Sequence, residues 1–117
     1  MSPRLQLRLD RDRFAPGDAV TGTVVVTEGG RSRSLEIVLA YVEQTKDYRE
    51  VARSISTGHL HTGNLDTGAT YRFEIALPSD ALPGFASEHG QLYWELDVKS
   101  DERGRDSHER HRIEVVV

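Results

Sequence analysis

Tyr71-Arg-Phe-Glu-Ile-Ala-Leu77 decides the fold. Tyr71, Phe73, Ile75 and Leu77 alternate with Arg72, Glu74 and Ala76. Neighbouring side chains of an extended chain point to opposite faces, so the stretch reads as a strand with one apolar face. Pro78 stops ladder pairing because it has no N–H to donate. The connection Leu77-Pro-Ser-Asp-Ala-Leu-Pro-Gly-Phe85 then leads into Leu92-Tyr-Trp-Glu-Leu-Asp-Val98. There Leu92, Trp94, Leu96 and Val98 face one way and Tyr93, Glu95 and Asp97 the other.

The same period of two extends outward in both directions. Leu5, Leu7 and Leu9 alternate with Gln6, Arg8 and Asp10. Phe14-Ala-Pro-Gly-Asp18 is a turn: proline presets one backbone angle, glycine takes the unusual one, and aspartate bonds back to the backbone. A strand is expected over 19–28, with Val20, Gly22, Val24 and Val26 on one face. Gly22 in mid-strand marks a bulge or the close approach of another backbone. The next strand, 34–45, is apolar on both faces: Leu35, Ile37, Leu39 and Tyr41 on one, Val38, Ala40 and Val42 on the other. Such a strand is either covered on both sides or carries an exposed apolar stripe. Residues 51–61 read as an irregular polar strand at a sheet edge, residues 100–111 as a long charged loop, and 113–117 as the last strand. About seven extended segments separated by turn signals, with no helical period, predict an all-β antiparallel sandwich of immunoglobulin-like type. Phe73 and Trp94 are its expected core anchors.

A chain of 117 residues is expected to be a single domain spanning 1–117. It has no cysteine, which excludes a disulfide framework and thiolate metal sites and suits a reducing compartment. The polar and apolar alternation at the start is not a secretory leader, and no apolar run approaches a membrane span. The expected setting is cytoplasmic. A net charge of −4, with both signs interspersed, disfavours nucleic acid, which needs a concentrated basic surface.

Taken in order, the apolar opening strand, Phe14, Pro16-Gly17-Asp18, Val20, Gly22, Val24 and Val26, the Leu77-Pro78 and Leu82-Pro83 pairs, Gly90, Trp94 and Leu96 resemble the arrestin-like β-sandwich. Families of that kind include the amino-terminal domain of arrestins and the sporulation-control (Spo0M-type) proteins. The resemblance implies protein–protein adaptor or trafficking work without catalysis; the chain is expected to be an adaptor- or scaffold-like binding module without a cofactor. Arrestins pair two such sandwiches, whereas this length holds one, so either the module stands alone or a second domain follows.

There is no Gly-x-Ser-x-Gly elbow and no phosphate-binding glycine loop, and the chain is not expected to be an enzyme. Val38, Ala40 and Val42 are the candidate contact residues, in a strand able to join a partner's sheet by backbone pairing or to form a homodimer through an edge strand. Asp101, Glu102 and Arg103, opening the charged segment, are a second candidate protein-binding surface. His59 and His61 are candidate metal ligands: two apart on a regular strand they share a face, and a third ligand has to come from His89, His108 or His111. They carry the alternative reading, a ligand- or metal-binding accessory domain.

Overall fold

A computed structural model describes residues 2–117. Nine strands follow one another: β1 (Arg4–Leu9), β2 (Arg13–Phe14), β3 (Ala19–Glu28), β4 (Ser34–Thr45), β5 (Arg49–Thr62), β6 (Thr70–Ala76), β7 (Phe85–Ser87), β8 (Gly90–Asp101) and β9 (Ser107–Val115). They form two sheets. The smaller has the order β1-β3-β6 and is antiparallel throughout. The larger has the order β2-β9-β8-β4-β5, with β7 paired to the start of β8. The described residues contain no helix, hence none long and apolar enough to cross a membrane.

The apolar face of each strand turns inward. Val20, Val24 and Val26 of β3 and Phe73 and Ile75 of β6 meet Leu35, Ile37, Leu39 and Tyr41 of β4 and Trp94, Leu96 and Val98 of β8 in one buried cluster. Alternation creates two such faces, and stacking them removes both from water. Phe73 and Trp94 are buried as expected. Gly22 sits where a Cβ would lie 2.5 Å from the Arg8 carbonyl oxygen and 3.0 Å from the Phe73 ring. The mid-strand glycine therefore lets β1 and the phenyl ring close over β3.

Packing also explains why a double-proline connection precedes the tryptophan. The Trp94 indole N–H donates to the Leu82 carbonyl at 2.7 Å, and the Tyr41 hydroxyl donates to the Pro83 carbonyl at 3.0 Å. Prolines at 78 and 83 hold the connection out of any ladder, so its carbonyls stay available to these two ring donors. Leu77 and Ala81 fill the space beneath. The loop is thereby fastened across one end of the core.

Two boundaries differ from the sequence reading. The strand count is nine rather than about seven, because β2 and β7 are pairings of two and three residues. The charged segment is not a long loop: β8 runs on to Asp101, β9 begins at Ser107, and only a short turn through Gly104 (φ +93°) separates them. Pairing with β8, from Trp94–Ile113 to Ser100–Ser107, holds this polar sequence extended although it has little apolar alternation of its own.

Candidate functional site

Because β4 turns Leu35, Ile37, Leu39 and Tyr41 to the core, Val38, Ala40 and Val42 necessarily face the outside of the larger sheet. Opposite them in β8 stand Asp97, Glu95 and Tyr93. Val42, Ala40 and Tyr93 form a second buried cluster, with Val38 packed against it. Val42 is 0 % exposed and Ala40 4 %. The cover comes from the same sheet. Arg49 of β5 forms an ion pair with Glu95, and Arg112 of β9 lies over the Tyr93 ring at 3.7 Å from its centroid. Arg112 also donates to Gln91 Oε1 at 3.0 Å, and the Tyr93 hydroxyl donates to Gln44 Oε1 at 2.8 Å.

The electrostatics of this face are concentrated at its centre. Glu95 is 5 % exposed, which places a carboxylate under a roof of side chains on the nominal solvent face of a sheet. Desolvation works against the Arg49 charge. Hydrogen bonding to Tyr93 and the charge of Glu95 outweigh it and raise the guanidinium pKa above its ordinary value. Farther along, Asp97 accepts from His108 Nδ1 at 2.9 Å and pairs with Arg110 at 3.5 Å. The face thus has a central acidic row in β8, flanked by cations from β5 and β9, above a small apolar patch.

This arrangement corrects one expectation. β4 is bonded along both edges, to β5 on one side and β8 on the other, so it has no free edge to offer a partner's sheet. The unpaired edge next to it belongs to β5. Ala40 and Val42 are buried together with Tyr93, and Val38 is half-buried against them, rather than in an open stripe.

Asp101, Glu102 and Arg103 are not a loop surface of uniform character. Asp101 ends β8 and is half-buried, Glu102 is buried, and Arg103 is exposed. The Glu102 N–H donates to Asp106 Oδ1 at 3.0 Å and closes the turn. That bond, with the charges of Lys99 and His108, lowers the Asp106 pKa. Among the described residues Glu102 Oε2 is buried without a hydrogen-bond partner.

His59 and His61 are not brought onto one face. His61 pairs with Leu35 and His59 with Glu36, so Leu60 is the extra residue of a bulge and the alternation breaks between the two imidazoles. The His61 ring packs on Tyr71 of the other sheet, 5.1 Å between centroids, and its Nε2 contacts the Asn64 carbonyl at 3.0 Å. His59 is exposed. Among the described residues no group of three His, Cys, Asp or Glu is placed to hold a metal ion.

Sequence reasoning missed Arg49, Tyr93, Glu95 and Arg112 as members of this face. The one usable signal was that Tyr93 and Glu95 fall on the face of β8 opposite Trp94, which pairs directly with Tyr41 of β4.

Among solved structures, Spo0M, a sporulation control protein from Bacillus subtilis, superposes with a TM-score of 0.72 at 22 % identity, over 100 % of this chain and 50 % of that chain. The chain therefore spans about half the length of that protein and shares the β-sandwich fold of the part it covers. A beta-glucosidase from Listeria innocua in complex with gluconolactone reaches a TM-score of 0.39 at 12 % identity over 16 % of its length, too little to bear on this chain. No protein-family model matches the sequence, and no curated protein matches it.

Proposed function

We propose that the chain is a non-enzymatic protein-binding module, adaptor- or scaffold-like in the manner of the arrestin-like fold, and that it works from the outer face of its larger sheet. The observation that carries this reading is the apolar patch of Val38, Ala40, Val42 and Tyr93 under a roof of arginine side chains. Tyrosine and arginine are enriched where proteins meet, because each combines a broad contact surface with directional hydrogen bonds. Arg49 and Arg112 can swing on their aliphatic stems, so a partner bearing carboxylates can draw them away and reach the patch beneath. Asp101 and Arg103, at the far end of the same strand pair, serve as a second contact.

In this reading residues 1–117 act as one arrestin-like unit. The cysteine-free composition supports a cytoplasmic setting. The likeness to a sporulation control protein supports a regulatory role rather than a catalytic one.

Affinity capture from lysate with wild type, Val38→Glu and Arg112→Glu tests the proposal. Both variants are expected to lose partners that wild type retains, while unfolding as cooperatively as wild type. Identical partner sets for all three proteins would reject the face. Calorimetric zinc titration separates the accessory-domain alternative, since heat above background that His61→Ala abolishes would favour it.

A further inference from the structure

β5 is the long open edge of this molecule. It runs for 14 residues, bonds to β4 along one side, and has no ladder partner on the other among the described residues. Residues 49–54 are exposed without a break, and the edge carries Tyr48 at 48 % and Val51 at 45 % exposure. Natural edges of this length are usually blunted by charge. Here the charges are arranged so that they also specify a match.

The match depends on a bulge. Along the β4–β5 ladder Tyr41 pairs with Arg53, Val42 with Val51 and Glu43 with Glu50, leaving Ala52 as the extra residue. Tyr41 and Glu43 are two apart and share a face. Arg53 and Glu50 therefore share that face as well, although three positions separate them and a regular strand would place them on opposite sides. We infer that β5 pairs with the β5 of a second copy of this chain, antiparallel about a twofold axis between Val51 and Ala52. This rests on the reading of the chain as a protein-binding module and names the partner of one of its surfaces.

That axis sets Glu50 opposite Arg53 of the other copy, twice. It sets Val51 beside Ala52 and Tyr48 opposite Ile55, while Arg49 faces Ser54. Opposite charges and apolar groups directly across a ladder stabilise it, and like charges there oppose it. Moving the axis by half a residue, onto Val51, sets Arg49 opposite Arg53, which the bulge places on different faces, and takes Glu50 away from its match with Arg53. The sequence thus favours one register over its neighbour, which lacks the opposite-charge pairs. Arg53 Nη1 donates to Asp80 within its own chain at 3.0 Å; the other nitrogens of the guanidinium fork remain to receive a second carboxylate.

Sedimentation equilibrium and light scattering from about 1 μM to about 1 mM, a range that spans weak to moderate affinities, provide the first test. Wild type is expected to move from 13.1 kDa toward twice that mass with rising concentration. Glu50→Arg and Arg53→Glu should each remain at the single-chain mass over the whole range. The double variant Glu50→Arg/Arg53→Glu should regain the doubled mass, because it restores the pairs with their signs exchanged. The second test uses the absence of native cysteine: a mixture of Glu50→Cys and Arg53→Cys chains should form an oxidised cross-link much faster than either chain alone. Wild type that stays a single chain at 1 mM, a double variant no better than the single ones, or equal cross-linking in all samples would each overturn the inference. None of these outcomes would decide the capture experiment on the opposite face, so the two readings fail separately.

Discussion

β4 and β5 are neighbours in one ladder and differ in almost every other respect. Residues of β4 are buried over most of its length, on both faces, whereas β5 is largely exposed. The difference lies in their flanks. β4 has β8 on its far side, the core below it and the Arg49–Tyr93–Arg112 roof above; β5 has solvent along its far edge. Composition follows: Leu-Glu-Ile-Val-Leu-Ala-Tyr-Val in the covered strand, Arg-Glu-Val-Ala-Arg-Ser in the open one. In a two-layer sandwich the number of covered sides sets how apolar a strand becomes, and edge strands keep the charges that control what joins them.

The sharpest way to break the contrast is to empty the covered side. Trp94→Ala and Phe73→Ala are each expected to cost about 3–5 kcal/mol, a large share of a small domain's stability. Urea unfolding reads this directly, and an unchanged midpoint for either variant would show that the core has been misplaced. Trp94→Ala also leaves the Leu82 carbonyl without its indole donor, so faster proteolysis within 78–84 should accompany the loss.

A smaller effect is expected from the roof. Arg49→Ala leaves Glu95 under cover without its cation and should cost about 2 kcal/mol. Adding Glu95→Gln should recover part of that loss, which a double-mutant cycle measures. Additive effects of the two substitutions would mean that the ion pair does not hold the patch closed. On the open side, Val51→Thr should change stability by no more than about 0.5 kcal/mol in dilute protein. A loss as large as that for Trp94 would erase the distinction between the strands.

The smallest and most pH-dependent effect belongs to the smaller sheet. Hydrogen bonds from Arg72 and Thr21 lower the Asp10 pKa from 3.8 to about 2, against a slight opposing effect of burial. A carboxylate whose folded pKa is depressed adds stability above its unfolded value and loses that contribution as pH falls through the folded one. The difference in urea midpoint between wild type and Asp10→Asn should therefore persist at pH 7, narrow between pH 3.8 and about 2, and vanish below that. A difference that survives at the lowest pH would assign it to something other than this charge.

Much of this architecture was legible because period-two alternation is a direct record of two-sided strands. Tyr71 to Leu77 and Leu92 to Val98 announce their inner faces, and both sheets follow from such segments. β2 and β7 were not legible, since two or three residues carry no period and form only against an existing neighbour. The first two thirds of β9, Ser-His-Glu-Arg-His-Arg, reads as a loop because it has no apolar residue to set a phase. The apolar stripe of β4 was visible, but its cover was not: Arg49, Tyr93 and Arg112 come from three strands, and only cross-strand register brings them together. The bulges at Ala52 and Leu60 were equally hidden. One places Glu50 and Arg53 on a common face, and the other separates His59 from His61.

Residue-resolved amide hydrogen exchange across a dilution series tests the contrast between the covered and the open strand most directly. In dilute protein the amides of β4 should all be strongly protected, while alternate amides of residues 49–57 in β5, those turned away from β4, exchange rapidly and gain protection as concentration rises. Full protection of both strands at every concentration, or rapid exchange along β4, would contradict the sealed centre and open edge on which the proposed contacts depend.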